Sequence, residues 1–289
     1  MCTRKLLCST GTMVSKYNGY NYIRAISEIE KLTAQNTVDG AELMMLEFYY
    51  DKYESLVKEL QTSGVPVPII HCEKEIGTNL SDAGKAFASN DKASADNLYK
   101  KNLELFKINC EVGRRVGASK MVLHLWGGIN SDSHIEYNIS KLDRLCEIAS
   151  EFGLKLLIEN VPCTTYDPLS NFHRLTNHLD RAALIFDTRF AMFHRQIRQT
   201  LCDKTLFHHI EHIHISDIMG EPRDFSALKN ILHPGQGIID FNEISDILDS
   251  ENYTGTVTLE SPVMNGYSIN TALLEKSLFY IGRLLCNKS

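Results

Sequence analysis

The sequence predicts one α/β domain over residues 1–289, in which eight strand–helix units close into a single (β/α)8 TIM barrel. The length of 289 residues lies in the range that such barrels occupy as one unit. Short apolar runs recur along the chain, and a longer stretch with helical periodicity follows each of them. Apolar residues make up 43% of the chain, which is enough to fill a large core.

The apolar runs are predicted to be strands because they are short and rich in aliphatic and β-branched residues. They are almost continuously apolar, as strands covered on both faces require, so we expect a parallel sheet. The predicted strands are 5–10, 40–48, 67–72, 120–125, 154–160, 182–187, 211–216 and 255–260.

Helices are predicted where apolar residues recur every three or four positions after a strand. After the third strand we expect a polar loop and then a long helix that begins near Asn97. The clearest predicted helices are 20–35, 51–64, 97–118, 139–153, 168–179 and 269–285.

An open, doubly wound sheet is the alternative arrangement of the same units. It would favour a glycine-rich G-x-G-x-x-G turn after the first strand, and the sequence has none there. The barrel is therefore the preferred prediction.

Charge and hydropathy limit the classes of partner. A formal net charge of -6 and a pI near 6.0 disfavour nucleic acid as a partner, since a mildly negative surface repels phosphates. No apolar run approaches 18 residues, so we expect no membrane span, and the apolar "LLC" near the N-terminus is too short for a signal peptide. The eight cysteines show no Cys-x-x-Cys pair, which favours reduced thiols and a cytoplasmic location.

Candidate functional residues were sought at the C-terminal ends of the predicted strands, because the loops there form the mouth of a barrel. Six consecutive strands, the third to the eighth, end on or near an imidazole or a carboxylate, in the order His71, His124, Glu159, Asp187, His214 and Glu260. Singly, each could be a hydrogen-bonded core histidine or a helix cap. Together they would repel and desolvate one another unless a cation neutralised them.

Glu159, Asp187, His214 and Glu260 are the predicted metal ligands. Three carboxylates and one imidazole suit one divalent cation, Mn²⁺ or Zn²⁺ in preference to Mg²⁺ or Co²⁺. On the seventh strand His212 and His214 point to the same side, and His214 is the better ligand because it lies nearer the C-terminal end.

The segments "LLIEN", "LIFDT", "HIHISD", "HPGQGIIDF" and "TLE" resemble the xylose isomerase-like TIM barrel superfamily, over almost the whole chain. That group contains sugar phosphate isomerases and epimerases and the apurinic-site (AP) endonucleases of family 2. The resemblance implies a single divalent ion held by Glu159, Asp187, His214 and Glu260. It further implies that Glu159 and Glu260 are the catalytic acid and base on either face of a bound sugar.

Further residues near the mouth are candidate substrate contacts. His71 and His124 match two histidines of the endonuclease metal site, and we expect them to bind sugar hydroxyls, with a second metal as the alternative. Trp126 could stack on a sugar ring or fill the core. Arg189 could bind a phosphate or carboxylate or pair with an acidic neighbour. His194 and His233 are either substrate contacts or surface residues, and the glycines of "PGQG" either approach an anion or make a turn.

The leading hypothesis is a metal-dependent isomerase or epimerase of carbohydrate metabolism, acting on a small sugar, sugar phosphate or polyol. A homodimer or tetramer is the expected assembly. An apurinic-site endonuclease is one alternative. Against it, Phe190 stands where that family has a histidine, and "KNILH" before "PGQG" lacks Asp-x-His. A dehydratase or lyase on the same scaffold is the other alternative. The residues leave open the substrate, its phosphorylation and the identity of the metal.

Overall fold

The computed structural model describes residues 4–128 and 131–288. One observed barrel strand overlaps each of the eight predicted strands. The strands are β1 (Lys5–Ser9), β2 (Gly40–Met44), β3 (Ile69–His71), β4 (Lys120–Leu123), β5 (Lys155–Glu159), β6 (Ala183–Asp187), β7 (Ile210–Ile215) and β8 (Thr256–Leu259).

The eight strands form one closed parallel barrel in sequence order, because β8 pairs back with β1. All their C-terminal ends therefore lie at one rim, the mouth. An outer hydrophobic core fills the space between strands and helices, while a small separate cluster lines the inside of the barrel. The inner cluster consists of Leu7, Ile69, Val122, Leu157, Ala183 and Ile185. The predicted (β/α)8 TIM barrel is confirmed.

The inner cluster also fixes the position of the ionisable side chains. Successive side chains of a strand point to opposite faces, so a residue two positions beyond an inner residue also points inward. On four consecutive strands an ionisable residue stands two positions after an apolar inner one, in the pairs Ile69 and His71, Val122 and His124, Leu157 and Glu159, and Ile185 and Asp187. The apolar layer is thus the floor beneath a polar layer at the mouth.

Twelve α-helices lie among the described residues. They are α1 (Tyr22–Ala34), α2 (Tyr53–Ser63), α3 (Glu75–Ala88), α4 (Lys92–Val116), α5 (Ile135–Ile139), α6 (Leu142–Glu151), α7 (Pro168–His178), α8 (Thr188–Phe193), α9 (Ile197–Leu201), α10 (Lys204–Phe207), α11 (Phe241–Ser250) and α12 (Thr271–Leu285). Short 3₁₀ segments follow β1 and β2, and a small hairpin, β9 (Met264–Asn265) with β10 (Ser268–Ile269), follows β8.

The polar loop predicted after β3 is wrong, since most of it forms α3 and the start of α4. Helix α3 buries Ile76 and Leu80 at helical spacing, but Gly77, Ser81 and Gly84 complete its buried face. These small residues allow close packing: a Cβ on Gly77 would lie 2.4 Å from the carbonyl oxygen of His124. A buried face made of small residues has little apolar periodicity in the sequence.

The predictions about membrane spans and cysteine thiols concern the following features of the described residues. Over residues 4–128 and 131–288, no helix has both the length and the apolar character needed to cross a membrane. Seven cysteines lie in these ranges and all have free thiols, whereas Cys2 lies outside them.

Candidate metal centre

The four predicted metal ligands converge at the mouth of the barrel. Glu159, Asp187, His214 and Glu260 each offer one ligand atom, and these atoms all lie within 4.8 Å of one another. The strand register explains this, because Asp187 is paired with His214 across the β6–β7 ladder. Three of the side chains are fully buried, and the Glu260 side chain keeps 15% of its surface exposed toward solvent.

His214 is surrounded by carboxylates. Its Nδ1 lies 2.9 Å from Glu159 Oε1 and 3.4 Å from Glu260 Oε2. Burial alone would lower the pKa of His214, but the nearby carboxylates of Glu260, Glu42 and Glu159 outweigh it and raise the pKa well above its usual range. The carboxylates around His214 therefore favour a positive charge at this position.

The pKa of Asp187 also indicates an excess of negative charge in the site. Burial, followed by the charges of Glu159 and Glu260, raises the pKa of its carboxyl group to about 7, although Arg189 opposes the shift. A carboxyl group that resists ionisation at neutral pH is typical of a cluster built around a positive ion.

The hydrogen bonding of two carboxylate oxygens in this cluster indicates whether the site fits a metal. Among the described residues, the buried Asp187 Oδ2 and Glu260 Oε1 have no hydrogen-bond partner. A buried oxygen without a partner is costly, and a divalent cation would satisfy both of these. Three carboxylates and an imidazole are a donor set that Mn²⁺ and Zn²⁺ accept. The residues present therefore fit a single divalent metal.

His71 and His124, predicted to contact substrate, lie directly beside Glu159. His71 Nε2 is 3.5 Å from Glu159 Oε2, and His124 Nε2 also contacts that oxygen. Burial lowers the pKa of His124 to about 4, against the opposing effect of Glu159. His71, Glu159 and His214 also form a group of possible metal ligands within 4.8 Å of one another. Both histidines thus belong to the polar layer of the mouth.

The side chains of Trp126 and His233 are buried and make hydrogen bonds with other protein groups. Trp126 is completely buried in the outer core, and its Nε1–H donates to the carbonyl oxygen of Val161 at 2.9 Å. His233 lies between Ser277 Oγ at 2.7 Å and the carbonyl oxygen of Pro262 at 3.1 Å. Trp126 therefore fills the core, which is the alternative given in the sequence analysis, whereas a substrate contact by His233 stays a prediction.

Arg189 and His194 also face protein groups. Arg189 donates to Ser216 Oγ at 3.2 Å and to the carbonyl oxygen of Leu228 at 3.3 Å. His194 Nε2 accepts the backbone N–H of Cys163 at 3.3 Å, and burial lowers the pKa of His194 to about 4. Both are nearly buried, and their described contacts hold loops around the mouth. Their roles in substrate binding stay predictions.

The "PGQG" segment is a turn, and the anion that its backbone approaches is Asp217 of the same chain. The Asp217 carboxylate accepts the backbone N–H groups of Gly235 and Gly237, at 3.1 and 2.8 Å, and that of Ile239 at 3.2 Å. A Cβ on Gly237 would lie 2.2 Å from the carbonyl oxygen of Ile218, so glycine is required there. Asp217 therefore anchors the loop.

Glu42, in the middle of β2, was missed by the sequence analysis. It is completely buried, and its carboxylate lies between His212 and His214. The candidate residues predicted from the sequence lie at strand ends, whereas Glu42 stands inside a strand. The signal was available, because Glu42 is the one charged residue in the apolar run "GAELMML".

Comparison with known proteins places this geometry in a wider group. The family described as xylose isomerase-like TIM barrel matches residues 31–281. An inosose dehydratase from Histophilus somni is 24% identical over 171 residues, 53% of this chain and 57% of that protein. The chain thus aligns with about half the length of such curated relatives.

Solved structures share the fold over nearly the whole chain. A D-allulose 3-epimerase from Methylomonas sp., in complex with D-allulose, has a TM-score of 0.69 and 16% identity, with 98% of each chain covered. The IolI protein with a bound zinc atom has a TM-score of 0.68 and 16% identity, again with 98% of each chain covered. Together with the family match, the barrel and its mouth lead to one conclusion: this chain belongs to the xylose isomerase-like TIM barrel family.

Proposed function

We propose that this protein is a divalent-metal-dependent isomerase or epimerase of a small sugar or related polyol. The observation that carries the proposal is the convergence of Glu159, Asp187, His214 and Glu260 within 4.8 Å, with two buried carboxylate oxygens left without partners. Those four residues would hold one metal, Mn²⁺ or Zn²⁺. The zinc-bound IolI structure supports this choice of ion by likeness of fold.

The proposed reaction moves a proton at the carbon atom next to a carbonyl group. Glu159 and Glu260 are the proposed acid and base, one removing the proton and the other returning one on the substrate. A bound divalent cation would supply the positive charge that stabilises the oxygen atoms as they become negative. Glu260 is the more accessible of the two, since Glu159 is enclosed by His71 and His124.

A small carbohydrate is the proposed substrate class. It is supported by the sugar named in the Methylomonas epimerase structure and by the inositol-derived substrate named for the dehydratases. His71 and His124 are proposed to bind substrate hydroxyl groups near Glu159. A single domain over residues 1–289, a cytoplasmic location and a homodimer or tetramer remain parts of the same proposal.

The test uses metal-loaded protein incubated in D₂O with ketoses, their phosphates and inososes. We expect one Mn²⁺ or Zn²⁺ per chain and deuterium incorporation next to the carbonyl group of one substrate class. E260Q should abolish incorporation while circular dichroism shows an unchanged fold. E221Q, at an exposed position in the loop after β7, is the matched control and should keep full activity. Undiminished exchange by E260Q would refute the acid–base assignment.

A dehydratase is the second candidate, because several curated relatives are inosose dehydratases. Removal of the same proton, followed by loss of a hydroxyl group from the neighbouring carbon, would give an unsaturated ketone and water. The two candidates differ in product: apart from incorporated deuterium, the first gives an isomer of equal mass and the second a product lighter by one water. Mass spectrometry of the same incubations decides between them.

A further inference from the structure

Glu42 connects the two histidines of β7 and lies outside the set of four metal ligands. Its Oε1 is 2.9 Å from His214 Nε2, and its Oε2 is 2.8 Å from His212 Nε2. All three side chains are completely buried. One carboxylate thus satisfies two imidazoles, one of which is a proposed metal ligand.

These contacts fix the position of the proton on His214. An ionised carboxylate only accepts hydrogen bonds, so the nitrogen that faces Glu42 carries the proton. That nitrogen is Nε2, and a neutral ring therefore has no proton on Nδ1. Nδ1 is the atom that points toward Glu159 and Glu260, at 2.9 and 3.4 Å. The lone pair of His214 is directed into the proposed metal site.

His212 contacts the second carboxylate oxygen of Glu42, Oε2. Its Nε2 lies 2.8 Å from Oε2, while its Nδ1 lies 2.5 Å from Thr256 Oγ1 and 3.1 Å from the carbonyl oxygen of Thr256. Both ring nitrogens of His212 therefore have hydrogen-bond partners in the protein. The result is a continuous buried chain from Thr256 through His212 and Glu42 to His214.

We propose that Glu42 is a positioning residue for the metal centre, holding His214 in the Nε2–H tautomer with Nδ1 as the ligand atom. The inference rests on the proposed function, since it requires a metal at the four-residue site. A carboxylate that accepts the second N–H of a ligating histidine fixes the ring and makes it a stronger ligand. His212 in turn holds the carboxylate in place.

Two variants separate the charge of Glu42 from its hydrogen bonds. In E42Q the amide oxygen can still accept the His214 Nε2–H, but the negative charge is lost. In E42L both hydrogen bonds are lost. D132N is the matched control: Asp132 is also fully buried, but it accepts the backbone N–H groups of Thr165 and Tyr166 and does not contact the four ligands.

Zinc affinity is measured for each purified protein by competition with a fluorescent chelator, and the thermal unfolding temperature of each metal-free protein is recorded alongside. We expect the Kd for Zn²⁺ to rise about 10-fold in E42Q and about 100-fold in E42L. D132N should bind zinc as the wild type does, whatever its unfolding temperature. A lower unfolding temperature in E42Q with unchanged zinc affinity would reduce Glu42 to a purely structural role and overturn the proposal.

The histidine tautomer is read independently from long-range ¹H–¹⁵N spectra of the zinc-loaded wild-type protein, so the proposal does not depend on E42L folding. We expect a His214 signal from a protonated Nε2 and a metal-bound Nδ1. A protonated Nδ1 in the loaded protein would overturn the role of Glu42 alone. Failure of the wild type to bind Zn²⁺ or Mn²⁺ would overturn the proposed function and, with it, the role of Glu42.

Discussion

Asp187 divides its two carboxylate oxygens between the fold and the site. Oδ1 accepts the backbone N–H of Phe190 at 2.7 Å and so caps helix α8, while Oδ2 is buried without a hydrogen-bond partner among the described residues. Its backbone is held as well: the Asp187 N–H donates to Asn160 Oδ1, and Asn160 Nδ2 donates to the Asp187 carbonyl oxygen. The helix cap thus directs the free oxygen toward the other ligands.

The raised pKa of Asp187 predicts how the metal-free protein responds to pH. An Asp in the unfolded chain titrates near about 3.9, whereas burial raises the pKa of Asp187 to about 7 in the fold. The folded state therefore binds more protons between these values, and Asp187 destabilises the fold as the pH rises through them. D187N keeps the cap, since Asn and Asp are equally good there, and removes the charge.

We therefore expect metal-free D187N to unfold at a higher temperature than the wild type at pH 8, with a smaller difference at pH 5. Thermal unfolding in the presence of a chelator measures both. Saturating Zn²⁺ should reverse the order at pH 8, because the variant has lost a ligand. An equal difference at both pH values would contradict the assignment of the charge to Asp187.

The side chain of Asp217 fastens both ends of the segment after β7. Asp217 accepts four backbone N–H groups, those of Ile218, Gly235, Gly237 and Ile239, at 2.8 to 3.2 Å. Its backbone also forms an isolated antiparallel bridge with Leu232. The start and the end of this segment are therefore fastened to the same residue, next to the C-terminal end of β7.

D217N should loosen this segment and lower the free energy of unfolding by about 3 kcal/mol, because one amide oxygen cannot replace two charged acceptors. Urea unfolding measures the change. D240N is the control: one oxygen of Asp240 accepts both N–H groups at the start of α11, and Asn can do the same. We expect D240N to change stability by less than about 0.5 kcal/mol. Equal effects of the two variants would contradict the anchoring role.

Elements with large apolar residues could be predicted from the sequence, whereas those defined by small or buried polar residues could not. All eight strands contain buried aliphatic residues, and the ligands of β5 to β8 stand at or near the C-terminal ends of those strands. Helix α3 was missed because Gly77, Ser81 and Gly84 form part of its buried face. Glu42 was missed because its partners on β7 lie about 170 residues away, and only the closure of the barrel brings them together.

The two ends of the barrel differ in whether their carboxylates are paired with groups of the chain itself. At the end where the strands begin, Glu211 pairs with Lys120 at 3.0 Å and also contacts Lys155, so its carboxylate is neutralised by the chain itself. At the mouth the carboxylates of Asp187 and Glu260 each keep an oxygen without a partner among the described residues. Of these carboxylates, as the described residues 4–128 and 131–288 show them, those at the mouth keep oxygens that a cation can neutralise.

A metal that binds at the mouth should therefore raise the free energy of unfolding of the whole protein. A ligand at 100 times its Kd adds about 2.7 kcal/mol to the free energy of unfolding, which corresponds to a rise in unfolding temperature of about 4 to 5 °C for a chain of this size. We expect Zn²⁺ or Mn²⁺ to produce such a rise and a chelator to reverse it. E211Q should lower the starting temperature but keep the full rise, whereas E260Q should reduce the rise itself. If E211Q abolished the rise and E260Q left it intact, the cation would bind at the other end of the barrel.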